Sequence, residues 1–474
     1  MIDRRELLAV AANLGLLPNV VEKDYVLGWL LAGIFDHPAL AETWVFKGGT
    51  CLKKCYFETY RFSEDLDFTL TDESQLNVDF LVGAFRKIST WVYEQTGIEL
   101  PSDKVHFEVF QNRRDRPAGQ GRISYRGPIA PSSGDLPRIK LDLTADEVLV
   151  LPPVDRPVSH PYSDAPEGAI KVRCYSYEEV FAEKVRALGE RARPRDLYDV
   201  INLFRHDEFH PAAPVIHDVL TKKCAFKGIS IPTVAALALL REELEGDWRA
   251  MLTHQLPSLP PVEAFWGELP ALFGWIEEGR PRTIPAAFPL TAGDIVIRPP
   301  AGTLSVPGMA TSAPLEVVRF AASNRLCVEL DYADEQGRRG VRIIEPYSLR
   351  RTQGGDIVLH AVRADNQLDR SYRVDRIRGA RTTQRTFMPR YMVELTPAGP
   401  ISAPISTRTP RVTAPRTSRR SGASSYSGPT YVYECGYCNK RFEHSKRDPT
   451  LRPHKDKNGW PCPSRHGIWV DTKT

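Results

Sequence analysis

Long apolar runs are missing from this chain of 474 residues, since no stretch reaches the roughly 18 apolar residues that a membrane-spanning helix needs. The first residues, MIDRRELLAV, also lack the pattern of a signal peptide. We therefore expect a cytoplasmic protein with no membrane partner. An excess of one charge is absent too, because the net charge is only +4, so the chain as a whole does not have the charge typical of nucleic-acid binding.

Acidic residues are absent from one long segment near the C-terminus. Residues 395–433 contain no Asp or Glu, and they carry five arginines, namely Arg408, Arg411, Arg416, Arg419 and Arg420. The same segment is rich in Pro, Ser and Thr, and it has too little apolar surface to offset the entropy lost on ordering. The sequence therefore predicts a flexible basic linker over residues 395–430.

Cysteine is scarce, and its eight positions are not spaced like a disulfide framework. Five cysteines stand among apolar residues and are interpreted as small core residues: Cys51, Cys55, Cys174, Cys224 and Cys327. The other three lie within the last forty residues. This clustering indicates a metal site in a reducing compartment rather than a set of disulfides.

The terminal cysteines have the spacing of a zinc module. Cys435 and Cys438 form a C-x-x-C pair that places two thiolates on one ion, and Cys462 is the third ligand. The fourth ligand is one of three histidines; we favour His454, with His466 as the alternative and His444 as the remaining candidate. About forty residues need such a metal to fold. We therefore predict a structural Zn²⁺ module at residues 431–474.

Length alone suggests about three domains. Short apolar strands and amphipathic helices alternate through residues 1–290, with strands early and helices late, which is typical of an α+β fold. Residues 314–393 alternate apolar and polar positions around a glycine turn, and they predict a small β domain.

The stretch FKGGTCLKKCYFETYRFSEDLDF suggests a nucleotide site. A glycine pair between a strand and a helix lets the backbone approach phosphate, and the helix start offers free N–H groups. Asp65 and Asp67 point to the same side of a strand, while Leu66 and Phe68 point into the core. Paired carboxylates on one face repel each other unless a cation such as Mg²⁺ or Mn²⁺ lies between them.

The strand RIKLDLTAD supplies a third carboxylate, Asp142, whose neighbours Leu141 and Leu143 face the other way. On a strand beside Asp65 and Asp67 it would complete a two-metal site. A purely structural role for Asp142 remains an alternative.

In combination, GGT-x-L-x-K, R-x-S-E-D-L-D-F, KLDLT and EEVFAEKVRAL…RPRDLYDV resemble the AbiEii/AbiGii-type nucleotidyltransferases, a branch of the DNA polymerase β-like superfamily. The resemblance covers the chain to about residue 285 and includes the EKDY block at Glu22–Tyr25, which we interpret as structural. It implies a nucleotidyltransferase core with a helical C-terminal part. Members serve as toxins of toxin–antitoxin or abortive-infection systems, and the MenT-type relatives add nucleotides to tRNA acceptor ends.

The resemblance implies roles for individual residues. Gly48, Gly49, Thr50 and Ser63 would bind the nucleotide, and Asp65 and Asp67 would hold the metal. Lys184 would contact phosphate, and Asp196 would be the acidic residue of the last motif. From the residues alone, Lys184 reads equally well as a surface lysine, and Asp196 as a charge at a helix N-terminus.

RIIEPYSLRR and RSYRVDRI resemble a WYL domain, an SH3-like β fold found in bacterial regulators that are often linked to phage defence. The Trp-Tyr-Leu signature itself is absent, and Asp356-Ile357-Val358-Leu359 stands in its place. Arg342, Arg370 and Arg373 form a candidate phosphate-binding patch, or alternatively a solvated barrel face.

The predicted function is metal-dependent transfer of a nucleoside monophosphate from an NTP to RNA, such as a tRNA end, or to protein. The protein would be a toxin of a toxin–antitoxin or antiviral defence system with an antitoxin partner. Two alternatives stay open: a non-catalytic nucleic-acid-binding regulator that uses the WYL-like and zinc modules, and a kinase-like phosphotransferase on the same fold.

Overall fold

The structure is a computed structural model. It describes residues 1–14, 16–57, 61–129, 135–166, 168–206, 209, 211–282, 288–289, 294–295, 313–352, 356–395, 430–435, 438, 440–444, 446–454, 462 and 464–473. The chain divides into two compact units, Met1–Ser406 and Thr407–Thr474. Almost all of the predicted basic linker lies outside the described residues. In the part of the chain that is described, no helix is long and apolar enough to cross a membrane.

A seven-stranded sheet organises the first part of the chain. Its strands are β1 (Trp44–Lys47), β2 (Asp65–Leu70), β3 (Val105–Gln111), β4 (Pro117–Ser124), β5 (Arg138–Thr144), β6 (Val154–Pro157) and β7 (Lys171–Cys174). Their spatial order is β3-β4-β5-β2-β1-β7-β6. β2 pairs in parallel with β5, and β1 in parallel with β7, whereas the other neighbours are antiparallel. The sheet is therefore mixed, and β2 lies at its centre.

Helices cover this sheet and continue beyond it. Those before β7 are α1 (Arg4–Leu14), α2 (Pro18–Asp36), α3 (Pro38–Ala41), α4 (Gly48–Cys51), which runs into a π-helical turn at Leu52–Tyr56, and α5 (Val78–Thr96). Those after it are α6 (Tyr177–Arg191), α7 (Pro194–Arg205), α8 (Ala213–Lys227), α9 (Val234–Ala238), α10 (Arg241–Leu252), α11 (Glu263–Trp266) and α12 (Leu269–Glu278). Short 3₁₀ turns lie at Glu73–Gln75, Ser102–Lys104, Thr253–Gln255 and Val374–Arg376.

The EKDY block of α2 contributes to the core, as predicted from the sequence. Asp24 pairs with Lys54 at 2.8 Å, and both side chains are almost fully buried. The Tyr162 hydroxyl donates to the same carboxylate at 2.9 Å. Glu22 accepts a hydrogen bond from the Ile129 backbone N–H at 2.6 Å. These contacts join α2 to the π-helical turn after α4 and to the segment after β6.

A second sheet of six strands follows. Its elements are β8 (Asp294–Ile295), α13 (Ala313–Ser323), β9 (Leu326–Ala333), β10 (Arg339–Thr352), β11 (Ile357–Arg363), β12 (Asp369–Arg373) and β13 (Ile377–Thr386). The main path is β12-β11-β10-β9-β13, and β8 pairs with β10. The antiparallel β9–β10 pair is the hairpin predicted from the sequence.

This second sheet shares buried surface with the first part of the chain. Apolar side chains of α13, such as Val318 and Ala321, belong to the same buried cluster as the core around β1 and β2. Burial, and then the charge of Arg205 in α7, lowers the pKa of Arg325 to about 10. The domain boundaries at residues 290 and 314 stay predictions, and the packing gives no reason to expect the two parts to be independent.

The second unit contains a three-stranded sheet of β14 (Thr430–Cys435), β15 (Arg441–His444) and β16 (Gly467–Lys473). The antiparallel order is β15-β14-β16. The sheet is too small to bury many apolar residues, and its cluster consists mainly of Tyr433, Leu451 and cysteine side chains.

The predicted α+β fold class is confirmed, and most predicted elements are present within a residue or two. Three strands were missed, namely β4, β6 and β7. β4 contains two glycines, and β6 ends on a proline at the edge of the sheet. Both residue types are depleted in strands, and an edge tolerates proline, so neither segment has a strand pattern. GGT was predicted as a turn, whereas α4 begins at Gly48 itself.

Candidate active site and zinc centre

The glycine turn is packed against the acidic strand. Gly48 has φ +80°, a conformation that side chains with a Cβ rarely adopt, and a Cβ at this position would overlap the Asp67 carboxylate. A Cβ at Gly49 would overlap the Arg61 guanidinium and lie 3.2 Å from the Ser63 hydroxyl oxygen. Both glycines are therefore required by close approach, and they bring Ser63 and Asp67 beside the start of α4.

Thr50 ties this turn to β2 from inside. Its hydroxyl donates to the backbone carbonyl of Asp65, and the side chain is buried. The hydroxyl predicted to contact phosphate is thus occupied by the fold. Its role as a nucleotide ligand stays a prediction, and the observed contact shows a positioning role.

Three carboxylates lie on one face of the sheet. Asp65 and Asp67 are half-buried, whereas Leu66 and Phe68 are buried on the opposite face. Asp142 of β5 is directly opposite Asp67 in the parallel pair. The alternation and the adjacency expected from the sequence are both observed.

The environment disfavours negative charge on the two β2 acids. Burial raises the pKa of Asp67 to about 6; the Lys47 charge opposes this shift, and the charge of Asp142 adds to it. Burial also raises the pKa of Asp65, against the opposing charges of Lys140 and Lys23. A divalent cation favours ionised carboxylates, so it would relieve the cost of holding these acids together.

Asp142 is held by two neighbours. Lys140 Nζ lies 2.7 Å from one carboxylate oxygen, and Gln120 Nε2 donates to the other at 3.2 Å. The carboxylate keeps unused acceptor capacity, because each oxygen has two lone pairs. These contacts are compatible with either a metal ligand or a structural acid.

Lys184 on α6 is buried rather than exposed at the surface. Its ammonium lies 2.8 Å from Asp199 and 3.5 Å from Asp196, both on α7. Its charge also reaches Asp67, whose pKa it lowers. The structure therefore brings Lys184 and Asp196 together behind the acidic strand.

The adjacent acids are each clamped by an arginine. Arg61 donates to both oxygens of Asp199, at 2.7 and 2.8 Å, and Arg191 donates to both oxygens of Asp196, at 2.7 and 2.9 Å. Burial alone would raise the pKa of Asp199, but the Arg61 and Lys184 charges outweigh it and hold that pKa well below its usual range. Asp199 is thus a structural anion that fixes Arg61 beside Gly49.

Sequence reasoning missed the basic residues around the acids. Lys47 is opposite Asp67 in the antiparallel pair of β1 and β2, and its ammonium lies 3.6 Å from Glu147. Burial and the Arg61 charge lower the pKa of Arg195, while Asp65 raises it, which places Arg195 near the acidic face. The only sequence signal was that both residues adjoin a motif residue.

Residues 29–272, just over half of the chain, match the family described as nucleotidyl transferase AbiEii toxin, type IV toxin–antitoxin system. The chain belongs to this AbiEii family. It is therefore a toxin-type nucleotidyltransferase that uses NTPs, as the resemblance implied. Residues 314–382 match the WYL domain, so that prediction is also confirmed.

Two solved structures resemble the chain. MenT4, a nucleotidyltransferase toxin from Mycobacterium tuberculosis, has 20% sequence identity and a TM-score of 0.35, with 57% of this chain and 89% of that chain covered. Proteasome accessory factor B/C from Arthrobacter aurescens has 18% identity and a TM-score of 0.15, with 45% and 32% covered. No match was found among curated proteins.

In the WYL domain, the three candidate arginines do not form one equivalent patch. Arg342 and Arg370 lie near Tyr372, since the charges of both oppose the burial that raises the pKa of this tyrosine. Arg373 instead makes a two-pronged ion pair with Asp356 at 2.7 and 2.8 Å. Phosphate binding here stays a prediction for Arg342 and Arg370, and it is weakened for Arg373.

The tail unit gathers the predicted zinc ligands. Ligand atoms of Cys435, Cys438, His454 and Cys462 all lie within 4.8 Å of one another, and the Cys435 and Cys462 sulfurs are 3.6 Å apart. The alternative ligand His466 is exposed, and its backbone pairs with Thr450. The arrangement favours His454 as the fourth ligand.

The orientation of His454 fits this role. Its Nδ1 lies 2.8 Å from the Arg452 carbonyl oxygen, and Nε2 is buried with no hydrogen-bond partner among the described residues. An Nδ1–H donated to a carbonyl leaves the Nε2 lone pair for a metal, which is the usual second-shell pattern of zinc histidines. The three thiols and this imidazole therefore fit a structural Zn²⁺.

Metal-free Asp67→Asn protein should be more stable than metal-free wild type at pH 7.5, by about 1–2 kcal/mol after solvent screening. The Asp67 pKa is raised from 3.8 to about 6, so its favourable contribution is complete below about pH 4 and is lost as the pH rises through about 6. Asparagine does not titrate. Urea unfolding at pH 4.5 and 7.5 with a chelator measures the difference.

The matched control is Asp218→Asn on the exposed face of α8, which should change stability little at either pH. Equal stabilities of Asp67→Asn and wild type at both pH values would contradict a strained acidic face.

For the tail, Cys435→Ser or Cys438→Ser should remove one equivalent of zinc per chain, because each deletes one thiolate of the four-ligand site. His454→Ala should weaken zinc retention during dialysis against a chelator, whereas His466→Ala should not. Elemental analysis of the purified proteins checks this. Equal zinc content in wild type and both cysteine variants would exclude the site.

Proposed function

We propose that this chain transfers a nucleoside monophosphate from an NTP to RNA, with a tRNA acceptor end as the preferred class of acceptor. In this reaction an acceptor hydroxyl oxygen forms a bond to the α-phosphorus. The bond from that phosphorus to the bridging oxygen breaks, and pyrophosphate leaves. The hydroxyl proton passes to a nearby base or to water.

The observation that carries the proposal is the acidic face beside the glycine turn. Asp65, Asp67 and Asp142 lie on adjacent strands, next to a backbone turn whose two glycines are required by close approach. Asp65 and Asp67, with Asp142 as a further candidate, would hold Mg²⁺ or Mn²⁺. When bound, such ions neutralise phosphate charge and orient the displacement.

The protein's own residues have separate parts in this scheme. The turn at Gly48 and Gly49 lets the backbone approach the triphosphate closely, and Ser63 supplies a hydroxyl at the same place. Lys184 is positioned by Asp196 and Asp199 behind the acids, and we propose that it stabilises phosphate charge during transfer. Thr50 and Arg61 position the turn.

Basic residues outside the first domain support an RNA acceptor. The predicted linker carries five arginines and no acid, and the tail adds Lys440, Arg441, Lys446 and Arg447. Such charge recruits nucleic acid by releasing counterions. Arg441 is partly neutralised by Glu434 at 2.7 Å, which reduces its contribution.

The biological setting that we propose is a cytoplasmic toxin restrained by a cognate antitoxin. Blocking an acceptor end would stop translation, and a WYL domain together with a nucleic-acid-binding tail suits control by an infection signal. Abortive infection and antiviral defence therefore belong to this proposal.

Asp67→Ala should lower magnesium-dependent incorporation of labelled nucleotide into tRNA by at least about 10²-fold, because it removes a carboxylate from the reacting face. Lys184→Met should also lower incorporation strongly. Asp218→Ala, an exposed acid on α8, is the matched control and should retain wild-type rates. Initial rates are measured with purified tRNA, with RNA depleted of tRNA, and with protein as acceptors.

Incorporation into protein but not RNA would overturn the acceptor assignment while leaving the enzyme class intact. A wild-type rate in Asp67→Ala would overturn the assignment of the active site itself.

A further inference from the structure

Three cysteines from distant parts of the sequence converge behind the glycine turn. Cys51 closes α4, Cys55 lies in the π-helical turn that follows, and Cys174 is the last residue of β7. Their sulfur atoms all lie within 4.8 Å of one another. The relative exposures of the three residues are 0%, 6% and 0%, so the cluster is sealed from solvent.

This convergence differs from the sequence interpretation, in which the five cysteines outside the tail were separate core residues. Cys224 and Cys327 fit that interpretation, since neither belongs to a group of convergent ligand atoms in the described part of the chain. Within those same residues, only two groups meet the distance criterion: this cluster and the zinc site of the tail.

We propose that Cys51, Cys55 and Cys174 bind a thiophilic d¹⁰ metal ion, Zn²⁺ or Cu⁺, as a second and internal metal site. Three sulfur ligands at mutual distances below 4.8 Å suit either ion, because soft thiolates select zinc and monovalent copper. Each thiol that is still protonated releases a proton to solvent as the metal binds.

Neighbouring groups already favour negative charge on sulfur. Hydrogen bonds from the Cys51 and Cys55 thiols hold the pKa of Cys174 well below its usual range, to about 4, with help from Tyr56 and Arg156. Burial meanwhile raises the pKa of Cys51 and Cys55. Such an arrangement has one thiolate that receives two S–H groups, and a metal ion replaces those two protons.

Arg156 supplies the compensating charge that a buried thiolate site needs. Its Nε donates to the Cys55 carbonyl at 2.9 Å, and its guanidinium lies 4.4 Å from the centroid of the Tyr56 ring. Three thiolates with Zn²⁺ carry a net charge of −1, which the guanidinium balances.

The site would also brace the nucleotide turn. Cys51 belongs to the helix that begins at Gly48, and Cys174 is paired in register with Phe46, just before that turn. A metal ion would therefore join β7 to the helix start, across the strand that leads into the glycine pair. This consequence depends on the proposed function, whereas the metal site itself does not.

The decisive protein is full-length Cys435→Ser/Cys438→Ser, which lacks the tail site but leaves the internal cluster untouched. It should retain one equivalent of metal after expression and dialysis in the presence of Zn²⁺ or, in a parallel anaerobic preparation, Cu⁺. Wild type should carry two equivalents. Elemental analysis decides the stoichiometry, and the two preparations decide which ion is preferred.

Adding Cys174→Ala to that background should remove the remaining equivalent, whereas adding Cys224→Ser, an isolated buried thiol, should not. Loading the background protein with Co²⁺ should give sulfur-to-metal charge-transfer absorption that is lost with Cys174→Ala. Absence of bound metal from the Cys435→Ser/Cys438→Ser protein in both preparations overturns the proposal. So does an intact mass two daltons low, which would show a disulfide formed by an oxidant such as molecular oxygen.

Discussion

The contact between the Gly48 backbone and the Asp67 carboxylate is the constraint from which the rest of the site follows. A residue with a Cβ cannot occupy position 48, because of both its backbone angle and its overlap with the carboxylate. The turn and the acid are thus held together before any ligand binds. Preorganisation of this kind lowers the cost of ordering the site when the nucleotide arrives.

Two kinds of buried charge surround this contact, and their pKa shifts have opposite signs. Asp199 is clamped by Arg61 and Lys184, so its pKa lies well below the usual range, and it acts as fixed scaffold. Asp67 lacks such a clamp and has a pKa of about 6. Acids whose ionised form is disfavoured by the protein are the ones that gain most from a metal ion, and this difference separates the reacting face from its support.

Much of the local structure was predictable from the sequence. Strand alternation placed Asp65 and Asp67 on one face, and the apolar pattern of β5 placed Asp142 on the same kind of face. The cysteine spacing indicated the tail site, and His454 was the favoured fourth ligand. These predictions rest on periods of two residues or on short spacings, which a sequence shows directly.

Long-range packing was not predictable in the same way. The clamp of Arg61 on Asp199 joins residues 138 positions apart, and the ion pairs of Lys184 depend on how α6 packs on α7. The convergence of Cys174 on Cys51 and Cys55 likewise requires β7 to lie beside β1, and the four-residue strand β7 has no recognisable pattern. In each case the chemistry depends on a tertiary contact between segments that are unremarkable when taken singly.

The fate of the phosphates of the NTP tests the central claim most directly. Parallel reactions with α-labelled and γ-labelled NTP, magnesium and total RNA distinguish nucleotidyl transfer from phosphoryl transfer on the same fold. The account predicts that the α label becomes attached to the acceptor and that the γ label appears only in released pyrophosphate. Transfer of the γ label to the acceptor, with release of nucleoside diphosphate, would contradict it.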